Sequence, residues 1–237
     1  MRILILCLLV LYSCNACNQT KQTAEDWRNS GDLKMLLKDY EGAIADYIKS
    51  IELNPNNAEV YSNIGVSKAR LQDYRGAIAE LNKAIELNPS YADAYYNRGI
   101  AKFRLEDYEG AITDFSEAIE LDHNKAKVYF HRAAAKFNIK NYKGAITDYS
   151  KAIELKPKDA EAFINRGDAK FTLRDYRGAI ADYSRAIELK PKDANAYFNR
   201  GNAKWNLEYK DGACLDWSKA GELGSGDAYD FIKKYCN

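Results

Sequence analysis

The chain has only two histidines, His123 and His131, in 237 residues. A His-based metal site or catalytic triad therefore has little material to draw on. An excess of one charge is also lacking: 35 Lys and Arg against 34 Asp and Glu give a net charge of +1. Setting Arg2 aside leaves 34 of each. Nucleic-acid binding usually leaves a basic footprint, and neither a basic excess nor a basic block is present. The charges are interspersed, as on solvated helix faces. No G-x-S-x-G or H-E-x-x-H occurs, which removes the local signatures of a serine hydrolase and a zinc peptidase. Phosphate-cradling glycine-rich loops are missing as well. Alternation of period two, the mark of a half-buried strand, is found nowhere.

No apolar run is long enough to span a bilayer, which takes about 20 residues. The longest at the N-terminus runs from Ile3 to Leu11 behind Met1-Arg2. A basic start, a short apolar core and then small residues read as a secretory signal. Leu11-Tyr12-Ser13-Cys14 resembles a bacterial lipobox, with an aliphatic residue three before the cysteine and a small one just before it. That resemblance implies a signal peptide over 1–13, a lipid on Cys14 and a polar tether over 14–23. Tyr12 departs from the pattern, Cys17 is a second candidate for the lipid, and plain cleavage near Ala16 is the remaining alternative. Export would also let thiols pair. Cys214 and Cys236, 22 residues apart, are either a disulfide or two buried small hydrophobes.

What the chain does have is one phrase written five times at a spacing of 34 residues. Tyr40-Glu41-Gly42-Ala43-Ile44 returns at Tyr74, Tyr108, Tyr142 and Tyr176, and a sixth, worn copy keeps Gly212-Ala213 in register. A fixed period of this size means a stacked array in which each unit covers the face its neighbour leaves open. In the copy from Ala92 to Lys125, Ala94, Tyr95, Ala101 and Leu105 form one helical stripe. Ala111, Ile112, Phe115, Ala118, Ile119 and Leu121 form a second. Each unit is therefore two helices. Asp39, Asp73, Asp107, Asn141 and Asp175 precede the second helix and suit its N-cap. Pro55, Pro89, Pro157 and Pro191 follow it, where proline cannot continue a helix. A glycine in the first turn of each second helix costs about 1 kcal/mol against alanine, and the spacing suggests that it lets the first helix pack closely.

These features resemble the tetratricopeptide repeat. Its aromatic near the start of the first helix is matched by Trp27, Tyr61, Tyr95, Tyr129, Phe163 and Tyr197. Its small residue four positions on is matched by Gly31, Gly65, Gly99, Ala133, Gly167 and Gly201. The alanine opening its second helix is matched by Ala43, Ala77, Ala111, Ala145, Ala179 and Ala213. The resemblance implies an all-α fold: an α-solenoid, a right-handed superhelix of helix-turn-helix repeats whose first helices line a concave groove. Six units follow, over 24–57, 58–91, 92–125, 126–159, 160–193 and 194–227. A capping helix over 228–237 follows them, with Ala228, Tyr229, Phe231 and Ile232 as its apolar face. One departure is regular: Arg98, Arg132, Arg166 and Arg200 stand where the family has leucine. Lys102, Lys136, Lys170 and Lys204 lie four residues later, and each of these units carries an acid, Asp114, Asp148, Asp182 or Asp216. They make either intramolecular ion pairs or a basic ladder for an acidic partner.

By register the concave wall carries Arg28, Ser62, Tyr96, Phe130, Ile164 and Phe198, with Tyr96, Phe130, Ile164 and Phe198 as the groove. Phe130 and Phe198 are expected to be substantially exposed. A parallel row of Met35, Ala69, Phe103, Phe137, Phe171 and Trp205 is core or platform. An apolar groove with aromatic rings suits an extended peptide or a helix. Some members of the family clamp a C-terminal carboxylate, and Asn97, Lys127 and His131 occupy comparable places. Ser62 and Val66 stand where that clamp needs a lysine and an asparagine, so it is not expected here. The function expected is a non-catalytic protein-interaction scaffold of a bacterial cell envelope, lipid-anchored to a membrane, with a periplasmic or secreted location as the alternative. A subunit of an envelope assembly or secretion machine is the more specific alternative, and an enzyme the remote one. No cofactor or metal is expected, nor nucleic acid; the partner is a protein or peptide, and the oligomeric state is open.

Overall fold

The computed structural model describes residues 22–236. The signal segment, Cys14, Cys17 and the tether as far as residue 21 lie outside the described residues. Among the described residues there are thirteen helices and no strand. They form two compact units, one ending at Leu87 and one beginning at Asn88. The first unit holds α1 (Ala24–Leu36), α2 (Tyr40–Leu53), α3 (Ala58–Arg70) and α4 (Tyr74–Leu87). The second holds α5 (Ala92–Arg104), α6 (Tyr108–Leu121), α7 (Ala126–Asn138), α8 (Tyr142–Leu155), α9 (Ala160–Thr172), α10 (Tyr176–Leu189), α11 (Ala194–Asn206), α12 (Lys210–Glu222) and α13 (Gly226–Tyr235). Within each unit every odd-numbered helix up to α11 packs along its successor to make a hairpin. The second helix of one hairpin then packs on the first helix of the next. The protein is an all-α solenoid of tandem helical pairs.

The turn inside each hairpin shows why the phrase repeats. In the third copy Glu106 N–H donates to the Phe103 carbonyl (3.0 Å) and Asp107 N–H to the Lys102 carbonyl (3.0 Å). Those two bonds close the last turn of α5 as a Schellman motif, which needs a left-handed residue between helix and exit. That residue is Glu106, with φ 62°. Lys38, Gln72, Lys140, Arg174 and Glu208 take the same conformation, with φ between 62° and 65°. A side chain there costs roughly 1–2 kcal/mol, so glycine would relieve strain. Asp107 then ends one helix and starts the next, because its Oδ1 accepts the Gly110 N–H at 3.0 Å. Asp39, Asp73, Asn141 and Asp175 do the same. In α12 the N-cap is Tyr209, which makes no side-chain cap bond.

Two glycine positions have different reasons. A Cβ on Gly110 would strike the Asp107 carboxylate that caps the helix. The glycine therefore clears room for the cap, not for the first helix as its spacing suggested. A Cβ on Gly99 would come within 2.7 Å of the Phe115 ring. There the missing side chain does set how closely α5 and α6 approach.

Alanine dominates the core, with a bulky second-helix residue in each hairpin and Val60, Ile64, Val128, Tyr129, Ile153, Phe163 and Ile187 buried around them. Tyr47, Leu81, Phe115, Tyr149, Tyr183 and Trp217 are all buried, as is Ile119. Leu105 and Leu121 depart from the expected stripes and are exposed, because they sit at or past a helix end where the face turns to solvent. Tyr229 departs too and is exposed. Helical spacing carries the packed face of α13 through Ala228, Phe231, Ile232 and Tyr235 and leaves Tyr229 about 100° around the helix.

Candidate interaction surface

The four arginines are paired. Arg132 Nε and Nη2 hold the two oxygens of Asp148, each at 2.8 Å, and Lys136 Nζ lies 2.8 Å from the same carboxylate. Arg132 Nη1 also donates to Ser116 Oγ of the preceding hairpin at 3.1 Å. Asp114 with Arg98 and Lys102, Asp182 with Arg166 and Lys170, and Asp216 with Arg200 and Lys204 repeat the arrangement. Each of these aspartates is buried, with at most 6% of its side chain exposed. Each guanidinium lies 5.4 to 5.7 Å from the ring of Tyr95, Tyr129, Phe163 or Tyr197 on its own first helix. A buried carboxylate is tolerable only with its charge and lone pairs satisfied, and two cations plus a bidentate fork do that. The cations are used internally, so these residues are a clamp between the two helices of a hairpin rather than an open ladder.

The expected groove residues are less open than register alone implied. Tyr96, Phe130, Ile164 and Phe198 are all half-buried. Phe130 stands edge-on to His131 (5.5 Å) and to Tyr149 (5.6 Å). Phe198 meets Phe231 of α13 at 5.1 Å, edge to face. Substantial exposure of Phe130 and Phe198 is therefore not what the fold provides. The bulk of Phe130 wedges between hairpins, and the closing helix covers Phe198. Ser62, in the first unit, is buried. In the parallel row, Phe103, Phe137 and Phe171 stand edge-on to Tyr108, Tyr142 and Tyr176 at 5.1 to 5.3 Å, which pins each first helix to the start of its second.

Two chemically distinct stretches remain on the first helices of the second unit. One surrounds His131. Its Nδ1–H donates to the Lys127 carbonyl at 2.8 Å, Tyr96 stands edge-on at 5.6 Å, and Lys127 Nζ lies 4.3 Å from the Tyr96 ring centroid. Burial pushes the imidazole below its ordinary pKa. A cavity of about 220 Å³ opens here beside Phe130, Lys156 and Glu161. The second stretch surrounds Asp168. Its Oδ1 accepts the Tyr183 hydroxyl (2.7 Å) and Asn199 Nδ2 (3.1 Å). Burial raises its pKa above the usual carboxylate value. Cavities of about 200 and 320 Å³ border it, and Phe137 lines both.

Sequence reasoning missed Asp168. The signal lay in residue pairs 15 apart. Asp32 with Tyr47, Asp168 with Tyr183 and Asn202 with Trp217 are hydrogen-bonded pairs, while Val66 with Leu81 and Ile100 with Phe115 are apolar. Only Ala134 with Tyr149 is mismatched, a small residue opposite a phenol, and a cavity lies there.

Cys214 and Cys236 are joined as a disulfide with Cα atoms 5.8 Å apart. It ties α12 to the residue after α13, and Trp205, Trp217, Phe231 and Tyr235 stack beside it. Among the described residues, no group of three His, Cys, Asp or Glu side chains is placed to hold a metal ion. No described helix is long and apolar enough to cross a membrane.

A family model described as TPR repeat matches residues 31–72, 68–106, 136–174 and 167–207, and one described as tetratricopeptide repeat matches 92–125. No match to the chain is found among curated proteins. Among solved structures, YrrB, described as a TPR protein with an unusual peptide-binding site, is 24% identical. The likeness covers 79% of this chain and 97% of that one, with a TM-score of 0.72. A MamA crystal structure is 29% identical over 70% of this chain and 96% of its own, with a TM-score of 0.65. The pilF protein of Pseudomonas aeruginosa is 18% identical over 89% and 97%, with a TM-score of 0.75. By its repeats, its turns and these matches, the chain belongs to the tetratricopeptide-repeat family.

Proposed function

We propose that this protein is a non-catalytic scaffold of a bacterial cell envelope. It is anchored by a lipid on Cys14 and binds a protein segment along the first helices of residues 92–236. The observation that carries the reading is the contrast on those helices. The Arg, Lys and Asp of each clamp are satisfied internally, while the strip from Tyr96 to Asn199 keeps half-buried rings, amides and cavities between hairpins. Such a strip offers an extended peptide or a helix repeated small contacts, each supplying area and a few hydrogen bonds. His131 and Asp168 stand in separate cavities, and His131 shares its own with Lys127, Lys156, Asp159 and Glu161, charged groups that a bound segment can meet. YrrB, with its described peptide-binding site, lends the reading a precedent in the fold.

The test has two arms. Metabolic acyl labelling should tag the protein, and Cys14→Ser should abolish the label; labelling that follows Cys17 moves the anchor, and none at all removes it. For the strip, Lys127→Glu with Ile164→Arg should cut capture of envelope proteins while helicity at the assay temperature stays near wild type, with a lower Tm because Ile164 also packs against two core clusters. Undiminished capture by the folded double variant would reject the strip.

A further inference from the structure

Asp168 is a half-buried carboxylate without a cation. The fully buried carboxylates of the second unit, Asp114, Asp148, Asp182 and Asp216, each hold an arginine and a lysine. Among the described residues no Lys, Arg or His pairs with Asp168. Its Oδ1 takes the Tyr183 hydroxyl and the Asn199 amide, and its Oδ2 has no partner there. The carboxylate does not lie sealed in the core. It borders two cavities of about 200 and 320 Å³, the first floored by Tyr149 and the second walled by Phe137 and Phe171. Asn165 lines the first beside Tyr149.

We propose that this pocket receives the basic side chain of a bound peptide, a lysine ammonium or an arginine guanidinium. The proposal rests on the strip being a peptide-binding surface and names what one part of it reads. Three features select this ligand. A half-buried carboxylate whose charge no cation balances is held at a cost, and a cation that arrives gains from the reduced local dielectric. The aromatic walls offer ring quadrupoles to a cation and apolar area to the methylene stem behind it. The cavity under Tyr149, about 200 Å³, fits one side chain, since pockets for whole small molecules run from about 300 to 1,000 Å³, and the second, about 320 Å³, is at the bottom of that range. The pocket exists because Ala134 faces Tyr149. At the corresponding place in the preceding hairpin Ile100 faces Phe115, and that bulk is absent here.

The test titrates the full chain, isotopically labelled, with four small probes: the N-acetyl amides of lysine, arginine, norleucine and glutamate. The side-chain amide signals of Asn165 and Asn199 are followed by NMR. The lysine or arginine probe should shift both signals saturably, and norleucine, the uncharged analogue, and glutamate should not. Asp168→Asn should weaken the basic probe at least about tenfold, since truncating one side of a buried charge pair typically costs more than that. The variant should keep its fold, because Asn202 already serves as the acceptor for Trp217 at the same place in the next hairpin. Equal binding of norleucine, unchanged affinity in the folded Asp168→Asn variant, or no saturable shift with any probe would overturn the proposal. Its failure is separable from failure of the strip. Probe binding as stated, with capture undiminished in Lys127→Glu/Ile164→Arg, removes the strip and leaves the pocket. Sensitive capture without probe binding removes the pocket alone.

Discussion

The two units are built on one 34-residue frame with different interiors. In the unit from Asn88, four hairpins place an arginine, a lysine and an aspartate between their helices. In the unit ending at Leu87, neither hairpin does. The first substitutes Ser30, whose hydroxyl donates to Asp46 at 2.6 Å beside Lys34, also at 2.6 Å. The second substitutes buried Ile64 and leaves a half-exposed pair, Lys68 with Glu80 at 2.6 Å. The frame thus accepts a hydroxyl, an alkyl group or a guanidinium at one position while the facing position stays acidic (Asp46, Glu80 or Asp114) and keeps its lysine. The arginine is a choice within the fold and not a requirement of it, whereas every hairpin keeps a carboxylate and its lysine.

The comparison can be broken most sharply at the clamp. Asp148→Ala leaves Arg132 and Lys136 without their carboxylate and should destabilise by about 3–5 kcal/mol. Asp46→Ala removes a buried carboxylate but strands one lysine that is already one-third exposed, and Glu80→Ala removes a carboxylate that is itself 24% exposed, so both should cost less, in that order. Equal losses in thermal unfolding of the three variants would mean that the clamp adds nothing.

The disulfide gives the second unit a closed end. Reducing the Cys214–Cys236 bond should lower stability by about 3 kcal/mol in the chain-entropy model and loosen hydrogen exchange first in α13. Protection in α13 that survives reduction would show that ring packing alone holds it. Asp168→Asn acts in the opposite direction. Burial holds the Asp168 pKa above its unfolded value, so the native state binds this proton more tightly than the unfolded chain does. Stability therefore falls as pH rises from the ordinary carboxylate range through the raised value. The asparagine variant should melt higher than wild type at neutral pH, and the gap should close in acid. A gap independent of pH would assign the effect to packing.

The caps and turns give the smallest effects. Asp107→Ala should cost about 1 kcal/mol, while Tyr209→Asp, which supplies the cap that α12 lacks, should gain up to a comparable amount. Lys140→Gly relieves a left-handed side chain and should raise Tm slightly, against the roughly 1 kcal/mol that glycine loses in a helix interior. A fall in Tm would contradict the turn geometry.

Much of this was legible in the sequence, for physical reasons. The period gave the solenoid, because identical phrases must make identical contacts. The clamp partners were legible because Arg98 and Asp114 recur together, and an arginine replacing a core leucine demands a carboxylate. The left-handed residue of each hairpin turn was not, since Lys140 and Glu106 carry none of glycine's signal and the strain is enforced by the two helices that flank it. The groove was half legible. Register placed Phe130 and Phe198 on the first-helix surface but could not show that Phe130 wedges beside Tyr149 or that Phe231 closes over Phe198. The Asp168 pocket depends on a mismatch between Ala134 and Tyr149, 15 residues apart, and only the packed hairpin turns that mismatch into space.

The account rests on recognition running along the first helices of the second unit, with the clamp and the second helices as support. Site-specific photocrosslinking in intact cells tests this directly, with a photoreactive residue replacing Lys127 on a first helix or Lys151 on a second helix. Both positions are solvent-exposed, Lys127 with about half and Lys151 with 39% of its side-chain area open. The account predicts discrete protein adducts from position 127 and none above background from position 151. Adducts from 151 with none from 127 would contradict it.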